Sequence, residues 1–264
     1  MSDLDTLIEN GLVVTENEID RINIGIKDGK IHFIGNEKPK SNLNIDASNF
    51  YVLPGGIDPH VHIDQPSGND VIMADNFQTA TKSAAAGGNT TILPFAMQIK
   101  GQSLRKCVED YHKKAQGNMY IDTSFHLIIS DPTPQVLGQE LPALSKDGYT
   151  SFKVFMTYDD LVLNDKELIE VFDVAKQLKT LVMVHAEGYD SIKYLSDKFE
   201  KEGKTAPYYH APTRPQIVER EATHRAISHA QIVDIPLMIV HVSGEEALNQ
   251  IRWAKDKGIK VFSE

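Results

Sequence analysis

TSFKVFMTYDDLVLNDKELIEVFDVAKQLKTLVMVHA, residues 150–186, reads as strand, helix, strand. TSFKVFM and LVMVHA are short runs rich in Val, Leu, Phe and Met and poor in charge, as strands buried on both faces are. Between them Asp165 to Leu178 reads as a helix, with Asn164 placed as its N-cap. Strands joined through a helix are the repeating step of a parallel α/β fold.

The same rhythm extends outward in both directions. LPGGID, NTTILPF, TSFHLIIS, LMIVHVS and IKVFSE are further strand candidates; Asp75 to Ala86, Ser103 to Gln116, Arg214 to Ile232 and Gly244 to Lys257 are helix candidates. Ser243 is the expected N-cap of the last helix and Gly258 its stop. The count is seven β/α steps, where a closed barrel needs eight, and the missing step is the C-terminal one. An open doubly wound sheet is the alternative. It gathers its ligands at one switch point, whereas here functional-looking residues end strands throughout the series, which favours an incomplete TIM-like (β/α)8 barrel. Ahead of it, TLIENGLVV, RINIGIK, GKIHFIG and SNFYVL, with turn signals such as Lys27-Asp28-Gly29, read as a small β unit. The expected division is a β-sandwich portion over 1–52 and the barrel over 53–264.

At 264 residues and 41% apolar content the chain has material for one large core and a smaller unit. A net charge of -10 and a pI near 5.5 argue against nucleic acid or an anionic membrane as partner and for a small-molecule substrate. Cys107 is the only cysteine, so an intrachain disulfide is ruled out. Its charged neighbours suggest a partly exposed helix position rather than a tuned thiolate. The first residues lack a basic start and a long apolar run, and no segment reaches the roughly 20 apolar residues of a membrane helix, so a cytoplasmic location is expected.

Five residues end candidate strands: His60 and His62 in PGGIDPHVHID, Lys153 in SFKVFMTY, His185 in VMVHAEG and His241 in LMIVHVSG. Residues two apart on a strand point the same way, so His60 and His62 can face one cavity and bind one ion, and imidazole suits zinc. Alone, such a pair is also what two ordinary polar residues at a strand end look like. Lys153, flanked by Phe152, Val154, Phe155 and Met156, is costly to bury as a free ammonium. Either it snorkels or pairs with an acid, or burial exposes a nucleophilic amine that carbon dioxide converts to a carbamate able to bridge two cations. His185 and His241, each structural when taken singly, complete the order His-x-His, Lys, His, His on successive units.

PGGIDPHVHID, AAAGGNTTILPFA, SFKVFMTY, MVHAEGYD, YYHAPTRPQIVEREATHRAI and LMIVHVSGEEAL together resemble the cyclic amidohydrolases, most closely the dihydropyrimidinase and hydantoinase branch, over nearly all of 7–264. The resemblance implies two divalent ions, with zinc expected: His60 and His62 on the more buried, His185 and His241 on the more exposed, with carboxylated Lys153 bridging. It implies that Tyr158 hydrogen-bonds the developing oxyanion, that a small cyclic ureide or imide is hydrolysed to an N-carbamoyl amino acid, and that the full-length form is a homotetramer. Asp64 and Glu187 are candidates to fix the histidine tautomers. Gln65, Ser67 to Asp70, Pro94 and Gly188 depart from the residues usual in hydantoinases, which leaves the substrate open. Dihydroorotase or allantoinase activity is the enzymatic alternative, and a metal-free scaffold protein the non-enzymatic one. Family members continue into a strand bearing a metal-binding aspartate that shuttles the proton, so a 264-residue form is expected to be impaired.

Overall fold

The structure, a computed structural model, describes residues 4–66 and 71–264; Ser67 to Asp70 lie outside the described residues. The chain divides into two compact units, Met1–Gly56 and Ile57–Glu264.

The first unit is one mixed sheet of β1 (Leu4–Val14), β2 (Ile19–Lys27), β3 (Lys30–Gly35), β4 (Ser41–Asp46) and β5 (Tyr51–Val52). Its order is β3-β2-β1-β4, with β5 also on β1. β2 and β3 form a hairpin in which Lys27 pairs with Lys30. The two residues between, Asp28 and Gly29, both take positive φ, 52° and 70°, as a tight hairpin turn requires. β4, SNLNID, is not among the expected strands: its apolar alternation is only two residues long, Leu43 and Ile45, both exposed, and main-chain pairing to β1 makes it a strand.

The second unit carries the site. Its main sheet runs in chain order through β6 (Gly56–Val61), β7 (Asn89–Met97), β9 (His126–Ile128), β10 (Ser151–Phe155), β11 (Leu181–His185), β12 (Leu237–Ile239) and β13 (Val261–Ser263), with the short β8 (Asp122–Thr123) beside β7. From β7 to β13 neighbouring strands pair in parallel. The helices are α1 (Phe77–Ala86), α2 (Leu104–Ala115), α3 (Leu141–Lys146), α4 (Asp165–Leu178), α5 (Tyr189–Lys201), α6 (Gln216–Val233) and α7 (Glu245–Asp256). Although β6 and β13 stand at opposite ends of the strand order, Glu264, directly after β13, bonds to His60 of β6. The sheet is therefore curled into an incomplete barrel of seven parallel strands.

Strand alternation sorts the core into two layers. Phe152, Val154, Val182, Val184, Leu237 and Ile239 face outward and pack with helix residues such as Leu168, Phe172, Ile227 and Ile251. Phe95, Ile128, Phe155, Met183 and Val240 face inward as a separate, smaller cluster. With Phe152 and Val154 pointing out, Lys153 between them must point in. Cys107 is buried on α2, not partly exposed as its charged neighbours suggested, because those neighbours occupy the helix's other faces. Burial pushes its thiol up to about 12, which leaves it inert. Among the described residues no helix is long and apolar enough to cross a membrane.

Candidate functional site

The barrel interior brings together all five residues singled out at strand ends. The His60 ring lies 5.4 Å from that of His62 and 5.6 Å from that of His241, and His241 lies 4.4 Å from His185. Lys153 is fully buried, and among the described residues its Nζ has no hydrogen-bond partner. Instead the amine stands 5.1 Å from the ring centroids of both Phe95 and Phe155. Burial pushes it down to about 7, against an upward pull from the Glu264 carboxylate. Counting His, Cys, Asp and Glu alone, the described residues hold no group of three that could take a metal ion.

The histidines are individually oriented. His60 shares its Nδ1 with Glu264, whose carboxylate can only accept. The Nδ1 of His62 faces Gln65 Oε1 at 2.8 Å. His185 donates from Nε2 to Glu187 Oε2 at 2.8 Å, a bond that holds the Glu187 carboxyl below the usual range. Burial holds His62 below the ordinary imidazole value, and burial with nearby positive charge pushes His241 down to about 3. Both are neutral imidazoles with a lone pair available, the form a cation requires.

The backbone is forced at two of these points. His241 has φ 42° and Tyr158 φ 72°, both in the left-handed region that bulky residues avoid. For His241 the reason is visible: β12 ends at Ile239, and the strand must be redirected to turn the imidazole inward beside His185. Such conformations persist where surrounding contacts over-determine them, commonly at functional sites. The contacts after His241 come from α6. Glu219 accepts from the N–H groups of Ser243 and Gly244, both at 2.8 Å. Ser243 is thus not the cap of α7: its hydroxyl donates to the His241 carbonyl, Gly244 takes the cap position, and Glu219 satisfies the helix end from outside.

Asp64 does not orient a histidine. It pairs with Lys114, which donates to both its carbonyl and its carboxylate, and the histidine partner on that loop is Gln65. Glu187 is bonded to His185. His126 is buried in the interior 4.9 Å from the Phe95 ring, with Nε2 bound to the Pro59 carbonyl. Both its ring nitrogens are occupied, the other by Ser151, so it packs the barrel and has no nitrogen left for a ligand.

A cavity of about 440 Å³ opens onto this group, lined by Tyr158, His185, Glu187, Arg214, Glu219 and His241 among others. Its volume suits a small ring compound. Tyr158 is 42% exposed at its mouth, its ring 5.1 Å from His185. Partial burial, then Glu187, raises its phenol, so it stays protonated and able to donate.

A barrel with this arrangement has known relatives: the amidohydrolase family profile matches residues 51–262. The chain belongs to the amidohydrolase family. This amidohydrolase is 47% identical over 262 residues to a D-hydantoinase of Ralstonia pickettii, an alignment that covers 99% of the chain and 57% of the relative. It superimposes on a D-hydantoinase structure with a TM-score of 0.96 at 46% identity, covering 98% of the chain and 57% of that protein. On dihydropyrimidinase from Brevibacillus agri NCHU1002 the values are 0.94 and 42%, covering 98% and 56%. The amidohydrolase chain therefore spans a little over half the length of these relatives.

Proposed function

We propose that the protein hydrolyses the cyclic C–N amide bond of dihydropyrimidines or hydantoin-like rings to N-carbamoyl amino acids at a binuclear divalent-cation centre. The observation that carries this reading is Lys153 Nζ, buried with no hydrogen-bond partner among the described residues, beside the Phe95 ring that packs on His60 and His62 and the Phe155 ring that stacks on His185. An ammonium there has no acceptor, whereas a neutral amine, favoured by the depressed pKa, can attack carbon dioxide. In that step the nitrogen lone pair forms the N–C bond, one proton leaves the amine for solvent, and an anionic carbamate results. The donor set suits divalent ions: His60 and His62 would hold one, His185 and His241 the one nearer the cavity, and a carboxylated Lys153 would supply anionic oxygens to both. Bound ions of this kind supply a deprotonated water near neutral pH and polarise a carbonyl.

The chain's own residues do the rest. Tyr158, protonated and beside His185, would donate to the oxygen of the ring carbonyl as charge develops there. Glu187 keeps the His185 Nε2–H engaged, so that Nδ1 is the nitrogen presented to the site. Arg214 lies near Glu187 and lines the same cavity. The relatives, a D-hydantoinase and a dihydropyrimidinase, support the substrate class.

The test is to supply the protein with zinc and bicarbonate, measure bound zinc and the intact mass, and follow ring opening of dihydrouracil, hydantoin, allantoin and dihydroorotate. Two zinc ions, a mass gain of one carbon dioxide abolished by Lys153→Met, and turnover of the first two substrates are expected. Preference for allantoin or dihydroorotate would move the assignment within the family. A chain purifying without zinc and indifferent to chelator would make it a scaffold.

A further inference from the structure

We propose that Gln65 is a positioning residue that fixes His62 in the tautomer presenting a bare Nε2 to a cation, a role that rests on the metal-centre reading above. The argument follows from which atoms can donate. The Gln65 amide nitrogen lies 2.9 Å from the Phe95 carbonyl, which can only accept, so the amide orientation is settled from that side. Its Oε1 must then face His62, at 2.8 Å from Nδ1. An amide oxygen also only accepts, so Nδ1 carries the proton and Nε2 keeps its lone pair.

Phe95 contributes twice. Its backbone anchors the amide, and its side chain stacks on the imidazole, with centroids 4.8 Å apart and planes 17° apart, which holds the ring plane. The Gln65 backbone is held as well, its N–H reaching Met73 Sδ at 3.1 Å. His185 is set the opposite way, with Nε2 donating to Glu187 and Nδ1 left over. The two histidines are thus locked as opposite tautomers. Gln65 differs from Glu187 in being neutral, so it orients its histidine without adding charge beside the buried Lys153. The lock has work to do, because an imidazole with no partner favours the Nε2–H form, which would turn a proton toward the ion.

Histidine ¹⁵N NMR on the metal-free protein, with the His62 signals assigned by their loss in His62→Asn, reads the tautomer directly and needs neither metal nor substrate. Wild type and Gln65→Glu, which keeps an acceptor, should show His62 protonated at Nδ1; Gln65→Leu should shift it toward Nε2–H. Competition with a chromophoric chelator should then show zinc affinity falling about 10- to 100-fold in Gln65→Leu and clearly less in Gln65→Glu, which keeps the acceptor on His62 but loses the amide donor to Phe95. An Nε2–H wild type, an unchanged tautomer in Gln65→Leu, or equal zinc affinity in both variants would overturn the proposal. A wild type that shows the Nδ1–H form yet takes up no zinc overturns the metal reading while upholding the lock.

Discussion

A lysine between Phe152 and Val154 on a strand covered on both faces has no route to water, and in the barrel interior it meets two phenylalanine rings and no acceptor. Its titration is therefore linked to stability. In the metal-free, carbonate-free protein the folded chain protonates this amine only below about 7, the unfolded chain below its ordinary 10.5. Between those values the unfolded state binds more protons, so stability rises with pH, by at most about 1.4 kcal/mol per unit from this group. Urea titrations across that window should show a steeper rise for wild type than for Lys153→Met; parallel curves would mean that the amine is solvated. At His185, Glu187→Gln weakens the hydrogen bond that holds the ring, and zinc affinity should drop about tenfold or more with little change in melting temperature. The residues with inherent chemistry were legible: histidines ending apolar runs, and a lysine inside one. Gln65, Glu219 and Glu264 were not, because their roles come from partners 3, 24 and 204 residues away that no local pattern announces.

Elements were legible in proportion to their local signal. α4 spans the helix read from 165 to 178 because a capping box, Asn164 with Glu167, starts it, and four residues, Leu168, Val171, Phe172 and Ala175, form a buried stripe. α5 also has apolar residues at helical spacing, Tyr189, Ile192, Leu195 and Phe199, but it buries only Ile192 and is not among the expected helices. Ser243 misled because a serine ahead of a helix usually caps it, whereas here α6 provides the cap from across the fold. Two substitutions test that device. Glu219→Ala leaves the Ser243 and Gly244 N–H groups without their acceptor and should destabilise the fold by roughly 0.5–2 kcal/mol in urea titration. Gly244→Ala would place a Cβ 2.8 Å from the Glu219 carboxylate and 3.3 Å from Gln216, forcing that contact apart. Because both act on one contact, their costs should not add: Gly244→Ala should be milder in the Glu219→Ala background. Strict additivity would show that Glu219 does not hold this turn.

At the scale of the molecule, the site draws on nearly the whole width of a curled sheet. His60 comes from β6, Lys153 from β10, His185 from β11, His241 from the turn after β12, and Glu264 follows β13 and bonds back to His60. A ligand held by all of these links the first strand to the last ones and binds the folded state alone, so it stabilises by mass action. At a free zinc concentration 100 times the dissociation constant the gain is about 2.7 kcal/mol. For a domain of this size that amounts to a rise of about 5–10 °C in melting temperature. Differential scanning calorimetry should show the rise with zinc plus bicarbonate, a smaller one with zinc alone, and its loss on adding chelator. Lys153→Met removes the amine that would take up carbon dioxide and should abolish the bicarbonate-dependent part, whereas His112→Gln, at a histidine of α2 bonded to Tyr149, should leave the response intact. An equal rise in Lys153→Met would place the zinc elsewhere on the acidic surface and dissociate the histidine ring from the metal.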